Sequence, residues 1–181
     1  MRRRGPIRRP FRRAGPQRVP PELRRANELM DAGHHAQAAV AFEQIARRAD
    51  ARRGPRAPHF HLRAGRAYIF AGDTQKGMPH LKQGLAAIAA KKHWEPLQNF
   101  GQRAVDELSE LGYQTESDEI AAYLAEKLPT GTASPAKARS RPTLPTHCPG
   151  CGAPLRTDEV EWIDQKTAEC IYCDSPVRGE N

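Results

Sequence analysis

Residues 26–46 read ANELMDAGHHAQAAVAFEQIA. Ala26 and Met30 share one helical face, Gly33 stops that helix, and Ala38, Phe42 and Ile45 line the apolar face of a second. Working outward, Pro20 and Pro21 can open the first helix, because a proline at the helix start loses no hydrogen bond, and Leu23 extends its face. The stretch 61–88, HLRAGRAYIFAGDTQKGMPHLKQGLAAI, repeats the design. After a breaker-rich loop from Arg52 to Pro58, Phe60, Ala64 and Tyr68 lead to Gly72, then Met78, Leu81, Leu85 and Ile88 give a clear amphipathic face. A third unit carries Trp94, Leu97, Gly101, Ala104, Leu108 and Leu111 up to Gly112, then Ile120, Tyr123, Leu124 and Leu128, ending near Pro129. Gly33, Gly72 and Gly112 lie 39 and 40 residues apart, so residues 21–128 divide into three helix–turn–helix units.

These units resemble tetratricopeptide repeats. Ala26, Gly33, Ala38 and Phe42 in the first unit, and Gly65, Tyr68, Gly72, Gly77 and Leu81 in the second, stand where that family packs small residues, turns, and fills gaps. The family period is about 34 residues, so the longer spacing here calls for longer loops between units. The third unit keeps the glycine turn and loses the small-residue pattern. The resemblance implies an α-solenoid fragment whose first helices line a concave groove for a peptide or a partner helix. It places Leu23, Asn27 and Met30, then Leu62, Arg66 and Ile69, then Asn99 and Gln102 toward that groove. Asn27, Arg66, Asn99 and Gln102 are thereby the expected partner-binding residues, with asparagine and arginine suited to a peptide backbone or carboxylate.

All four cysteines fall in HCPGCGAPLRTDEVEWIDQKTAECIYCDSPVR, residues 147–178. Cys148 and Cys151 form one C-x2-C, Cys170 and Cys173 another, with eighteen residues between the pairs. Each such turn aims two sulfurs at one centre, and two turns held by a hairpin supply a closed tetrahedron. Asp174 stands where a second knuckle usually has glycine. Val160 and Trp162 share one strand face, Asp164, Gln165 and Lys166 can turn, and Thr167 to Cys170 returns to the centre. The segment resembles a rubredoxin-like zinc ribbon, and a unit of about 35 residues needs such a metal to fold. One structural zinc ion is expected, with iron the competitor for the same geometry. Two disulfides would need an oxidising compartment and a redox dithiol an α/β fold, and the sequence signals neither.

The remaining segments are set by composition. Residues 1–20 carry eight of the 29 basic residues and no acid, with four prolines, and read as a disordered tail. Arg2, Arg3, Arg4, Arg8, Arg9, Arg12 and Arg13 could there neutralise phosphates of RNA or DNA. Residues 21–181 hold equal numbers of acids and bases, so the basic pI belongs to the tail. Within them, residues 47–66 hold seven arginines and one acid, whereas 104–126 hold seven acids and no base. Residues 129–146, PTGTASPAKARSRPTLPT, read as a Pro-rich linker that leaves 147–181 as a separate unit. Residues 147–181 are net acidic, which disfavours a phosphate surface on the ribbon. Independent units predict that Cys148→Ser or Cys170→Ser unfolds the ribbon alone.

The histidines lack the i, i+4 spacing that binds metal on one helix face and are expected on the surface or in loops. No nucleophile, P-loop or dinucleotide fingerprint occurs, so no enzymatic role is expected. With no apolar run of membrane-spanning length and no secretory leader, the expected location is cytoplasmic. The expectation is therefore a mainly α chain, tetratricopeptide-like hairpins plus a small C-terminal β zinc ribbon, serving as a non-enzymatic protein-interaction adaptor. The alternative is a nucleic-acid-associated factor anchored by its Arg-rich tail.

Overall fold

The first thing the chain must solve in 21–128 is how to reverse direction after each amphipathic helix. It solves it five times in the same way. The structure, a computed structural model, describes residues 20–129, 142–157, 160–162, 166–173 and 175–180. The arginines of the tail through residue 19, the stretch 130–141, and Asp164, Gln165 and Asp174 lie outside the described residues. Six helices follow in order: α1 (Pro21–Asp31), α2 (His35–Ala51), α3 (Ala57–Phe70), α4 (Thr74–Ala90), α5 (Trp94–Glu110) and α6 (Gln114–Lys127).

After α1 the amide of Gly33 donates to the Met30 carbonyl at 3.1 Å and that of His34 to Leu29 at 2.9 Å. This is the Schellman closure, which satisfies the last carbonyls of a helix by placing one residue in the left-handed region. The same pair of bonds recurs at Arg53, Gly72, Lys92 and Gly112, and all five residues have positive φ, from 52° at Arg53 to 84° at Gly72. Turns within units use glycine; turns between units use a cation. A side chain in that conformation costs roughly 1–2 kcal/mol, partly offset because glycine gives the unfolded chain more freedom. Lys92→Gly is therefore expected to stabilise the fold by about 0.5–1 kcal/mol, and Gly72→Ala to destabilise it by about 1 kcal/mol or more, as read by urea unfolding. A fall in stability for Lys92→Gly would show that the lysine side chain outweighs its backbone strain.

The long period is not absorbed where the sequence suggested. Connections 32–34, 71–73, 91–93 and 111–113 are short, and only 52–56 is longer, so the extra residues lie mainly in the helices, three of which run to 17 residues. Pro79 sits inside α4 without ending it.

Buried side chains repeat every 39 residues: Leu23 with Leu62, Phe42 with Leu81 and Ile120, Ala46 with Leu85 and Leu124. One row is small throughout, Ala26, Gly65 and Ala104, and there paired helices meet. A Cβ on Gly65 would lie 2.8 Å from the Gly77 carbonyl and the Leu81 amide, so α3 and α4 touch backbone to backbone. The third unit thus does keep a small-residue seam, for Gly101 of α5 lies directly beneath the Leu124 side chain of α6, and a Cβ there would collide with it. Consecutive helices pack on one another, and α3 also meets α5 as α4 meets α6, which stacks the hairpins. Lys82 and Glu119 tie α4 to α6 across that stack. Among the described residues no helix is long and apolar enough to cross a membrane.

The C-terminal module is a three-stranded antiparallel sheet, β1 (Glu161–Trp162), β2 (Thr167–Glu169) and β3 (Pro176–Arg178), in the order β1-β2-β3. Trp162 pairs with Ala168, which pairs with Val177 in turn. Strand β3 carries no distinct sequence signal, since Pro176 opens it and it is three residues long. The module also begins earlier than its cysteines suggest. Thr143 and Glu180 exchange backbone hydrogen bonds of 3.0 and 2.8 Å, and Leu144 is buried, so 142–146 belong to the module and not to the linker.

The module packs directly on the helices. Leu23, Phe42, Phe60 and Tyr68 share one continuous apolar cluster with Leu144, Leu155, Tyr172, Val177 and the four cysteines. A second cluster fills α3 to α6, and Ile171 packs against both.

Candidate metal centre

Two knuckles position the sulfurs. In the first, the Gly152 amide donates to the Cys148 carbonyl at 2.8 Å with Gly152 at φ 70°, and the Gly150 amide points at Cys148 Sγ from 3.3 Å. In the second, the Cys173 amide donates to the Cys170 carbonyl at 3.3 Å and the Cys170 amide to Ser175 at 3.0 Å. The sheet brings the knuckles together. Cys148 Sγ lies 3.6 Å from Cys173 Sγ, Cys151 Sγ lies 3.8 Å from Cys170 Sγ, and all four fall within 4.8 Å of one another. A tetrahedral ion with metal–sulfur bonds of about 2.3 Å has sulfurs about 3.8 Å apart. The donor set fits.

All four cysteines are buried and none is in a disulfide. Packed this closely they cannot share charge evenly: hydrogen bonds led by Cys151 draw Cys148 down to about 7, and those led by Cys148 draw Cys173 down, while Cys151 and Cys170 are pushed up. A divalent cation held there would resolve the conflict by stabilising all four thiolates. Four protein sulfurs converging would fill the coordination positions of a tetrahedral ion.

No family model matches the chain. No curated protein and no solved structure matches it either.

What distinguishes the centre is its backing by the helices. Asn27 of α1, 1% exposed, donates from Nδ2 to the carbonyl of Cys151 at 2.7 Å. Arg56, just before α3, donates to the carbonyl of Tyr172 at 3.3 Å. Arg63 of α3, 7% exposed, lies between two rings, 4.6 Å from the centroid of Phe42 and 4.4 Å from that of Tyr172. Burial pulls the Arg63 pKa down, but from a value so high that the cation persists, and the two rings compensate it.

The residues expected to face a partner occupy the following places. Asn27 holds the metal module of its own chain. Arg66 is paired with Glu107 of α5 at 2.6 Å, Gln102 donates to Asp106 at 2.9 Å within α5, and Asn99 lies half-buried on α5. Arg56, Arg63 and Tyr172 are the contacts that sequence reasoning did not assemble. One signal pointed to them: α3 is apolar over most of its surface, and such a helix is covered on more than one side.

Of the histidines expected on the surface or in loops, His34, His93 and His147 are exposed, whereas the covering of α3 takes His61 and much of His59 out of solvent. His61 is buried between Asp50 at 2.7 Å and His80 at 2.8 Å, and His59 packs edge-on to Phe100. Burial, reinforced by Lys91, Arg56 and His93, drives His59 down to about 4. An unfolded imidazole titrates near 6.5, so below that pH the unfolded chain takes up the proton first and stability falls until about pH 4. Discounted for the ring's residual exposure, the expected loss is about 2 kcal/mol. His59→Leu should remove that portion of the acid sensitivity, measured as the difference between the two stability–pH curves. Parallel curves would assign the acid sensitivity elsewhere.

Proposed function

We propose that the chain is a non-enzymatic protein-interaction adaptor in which a tetratricopeptide-like array of three hairpins and a zinc ribbon act as one body. The observation that carries this reading is the Asn27 bond to the Cys151 backbone beside the Arg63–Tyr172 contact, which makes the metal knuckles part of the helical surface. The 39-residue recurrence of buried side chains, the identical turns and the Gly65–Gly77 approach support the repeat assignment. A closed set of four thiolates favours one structural zinc ion, bound by Cys148, Cys151, Cys170 and Cys173. The ribbon packs on α1, α2 and α3 through Asn27, Phe42 and Arg63, which leaves the remaining helical surface and the seam beside the ribbon to meet a partner.

Native mass spectrometry of the purified full chain with elemental analysis tests this. One zinc per chain, and a retained protein partner lost on chelation, are expected. Iron in the centre, or retained RNA or DNA that is lost on deleting residues 1–19, would overturn the reading in favour of electron transfer or of a nucleic-acid factor.

A further inference from the structure

A cavity of about 220 Å³ opens at the seam between the ribbon and the turns that join the helical units. Its apolar lining includes Ile88, Phe100 and Ile171, and its cations are Arg56 and Lys91, with His93 beside them. The cations come from two turns one unit apart, 52–56 and 91–93, brought together where Lys91 Nζ donates to the Pro55 carbonyl at 3.3 Å. Arg56 is held in turn by the Tyr172 carbonyl. Both charges are therefore fixed by backbone oxygens before any ligand arrives. Arg52, Arg53 and Lys92 are exposed in the same two turns, and Glu169 is the single acid in the lining.

We infer that this seam cavity is a docking site for an acidic peptide segment of a partner protein, with one apolar side chain seated between Ile88, Phe100 and Ile171 and flanking carboxylates on Arg56 and Lys91, within reach of a His93 ring N–H. The site rests on the adaptor reading and names its partner chemistry. Size points to an anchor side chain, because the cavity is smaller than the roughly 300–1,000 Å³ that enclose a small-molecule ligand. Charge excludes the chain's two longest remaining segments as occupants: residues 1–19 hold eight arginines and 130–141 hold Lys137, Arg139 and Arg141, with no acid in either. A nucleobase is disfavoured because His59 already packs against Phe100, with ring centroids 5.4 Å apart. The field of the cations at the cavity is the same one that helps keep His59 neutral.

The test uses the full metal-loaded chain and a fluorescein-labelled heptapeptide of six acidic residues around a central phenylalanine, read by anisotropy. Binding that weakens with salt is expected, at least tenfold weaker in Lys91→Glu/His93→Glu and at least fivefold weaker when the central phenylalanine is serine. Both substituted residues are exposed, and unchanged helical signal and zinc content in the double variant would show an intact fold. Equal affinity of variant and wild type would remove this cavity as the site while leaving an adaptor that binds elsewhere. Failure of the wild type to bind the peptide at 100-micromolar-scale concentrations would overturn the proposal outright. A single-stranded oligonucleotide binding more tightly than the peptide, and lost in the same variant, would make the seam a phosphate site and would count against the adaptor reading as well.

Discussion

Cys170→Ser is expected to destabilise the helices and not only the module that carries it. Losing one sulfur opens the tetrahedron, and with it goes the binding free energy that a metal held there would contribute to the folding of so small a unit. Undocking then strips Tyr172 from Arg63 and the Cys151 carbonyl from Asn27, two groups that are nearly fully buried. An aromatic ring withdrawn from a packed site and an amide left without its acceptor together cost about 3 kcal/mol or more. For a chain of this length that corresponds to a fall of about 6–12 °C in the melting midpoint of the helical signal. Independent units, the expectation from the sequence, give no shift at all. Circular dichroism at 222 nm separates the two outcomes, and Cys148→Ser should behave alike.

The second large effect lies on the other side of the same contact. Tyr172→Ala leaves the four cysteines untouched but removes one of the two rings that flank a buried guanidinium. Truncating a buried aromatic costs about 3–5 kcal/mol, and here the loss also exposes the penalty of an uncompensated buried charge. Arg63→Met is the informative counterpart. It removes the charge together with its desolvation cost and fills the space between Phe42 and Tyr172 with a flexible apolar chain, so it is expected to lie within about 1 kcal/mol of wild type. Urea unfolding of both variants with metal bound checks the pair. Should Arg63→Met prove as damaging as Tyr172→Ala, the cation itself, and not the filling of the space, would be what the interface requires.

These expectations rest on contacts that could not be read from the chain, and the reason is physical. Hairpins were legible because their signals are local: Gly33, Gly72 and Gly112 sit where a left-handed residue is needed, and apolar residues recur at helical spacing around them. The turns at Arg53 and Lys92 have the same backbone shape without a residue that announces it, which hid the true regularity. The clustering of the four cysteines was legible because a knuckle needs its two cysteines at fixed separation. Docking was not. Asn27 and Cys151 are 124 residues apart, and an asparagine, two arginines and a tyrosine each read as surface residues until they are seen to meet. The Pro-rich composition of 129–146 suggested separation of the two parts, yet Leu144 within it is buried in the shared core.

Amide hydrogen exchange of the full chain, before and after chelation of the metal, tests the joint core most directly. Protection is expected to fall both in residues 142–180 and in the amides of α1 and α3 that face the module, around Asn27 and from Phe60 to Tyr68, with α6 least affected. Loss of protection confined to residues 142–180, with α1 and α3 exchanging as slowly as before, would contradict the account and return the ribbon to the status of a tethered, separate unit.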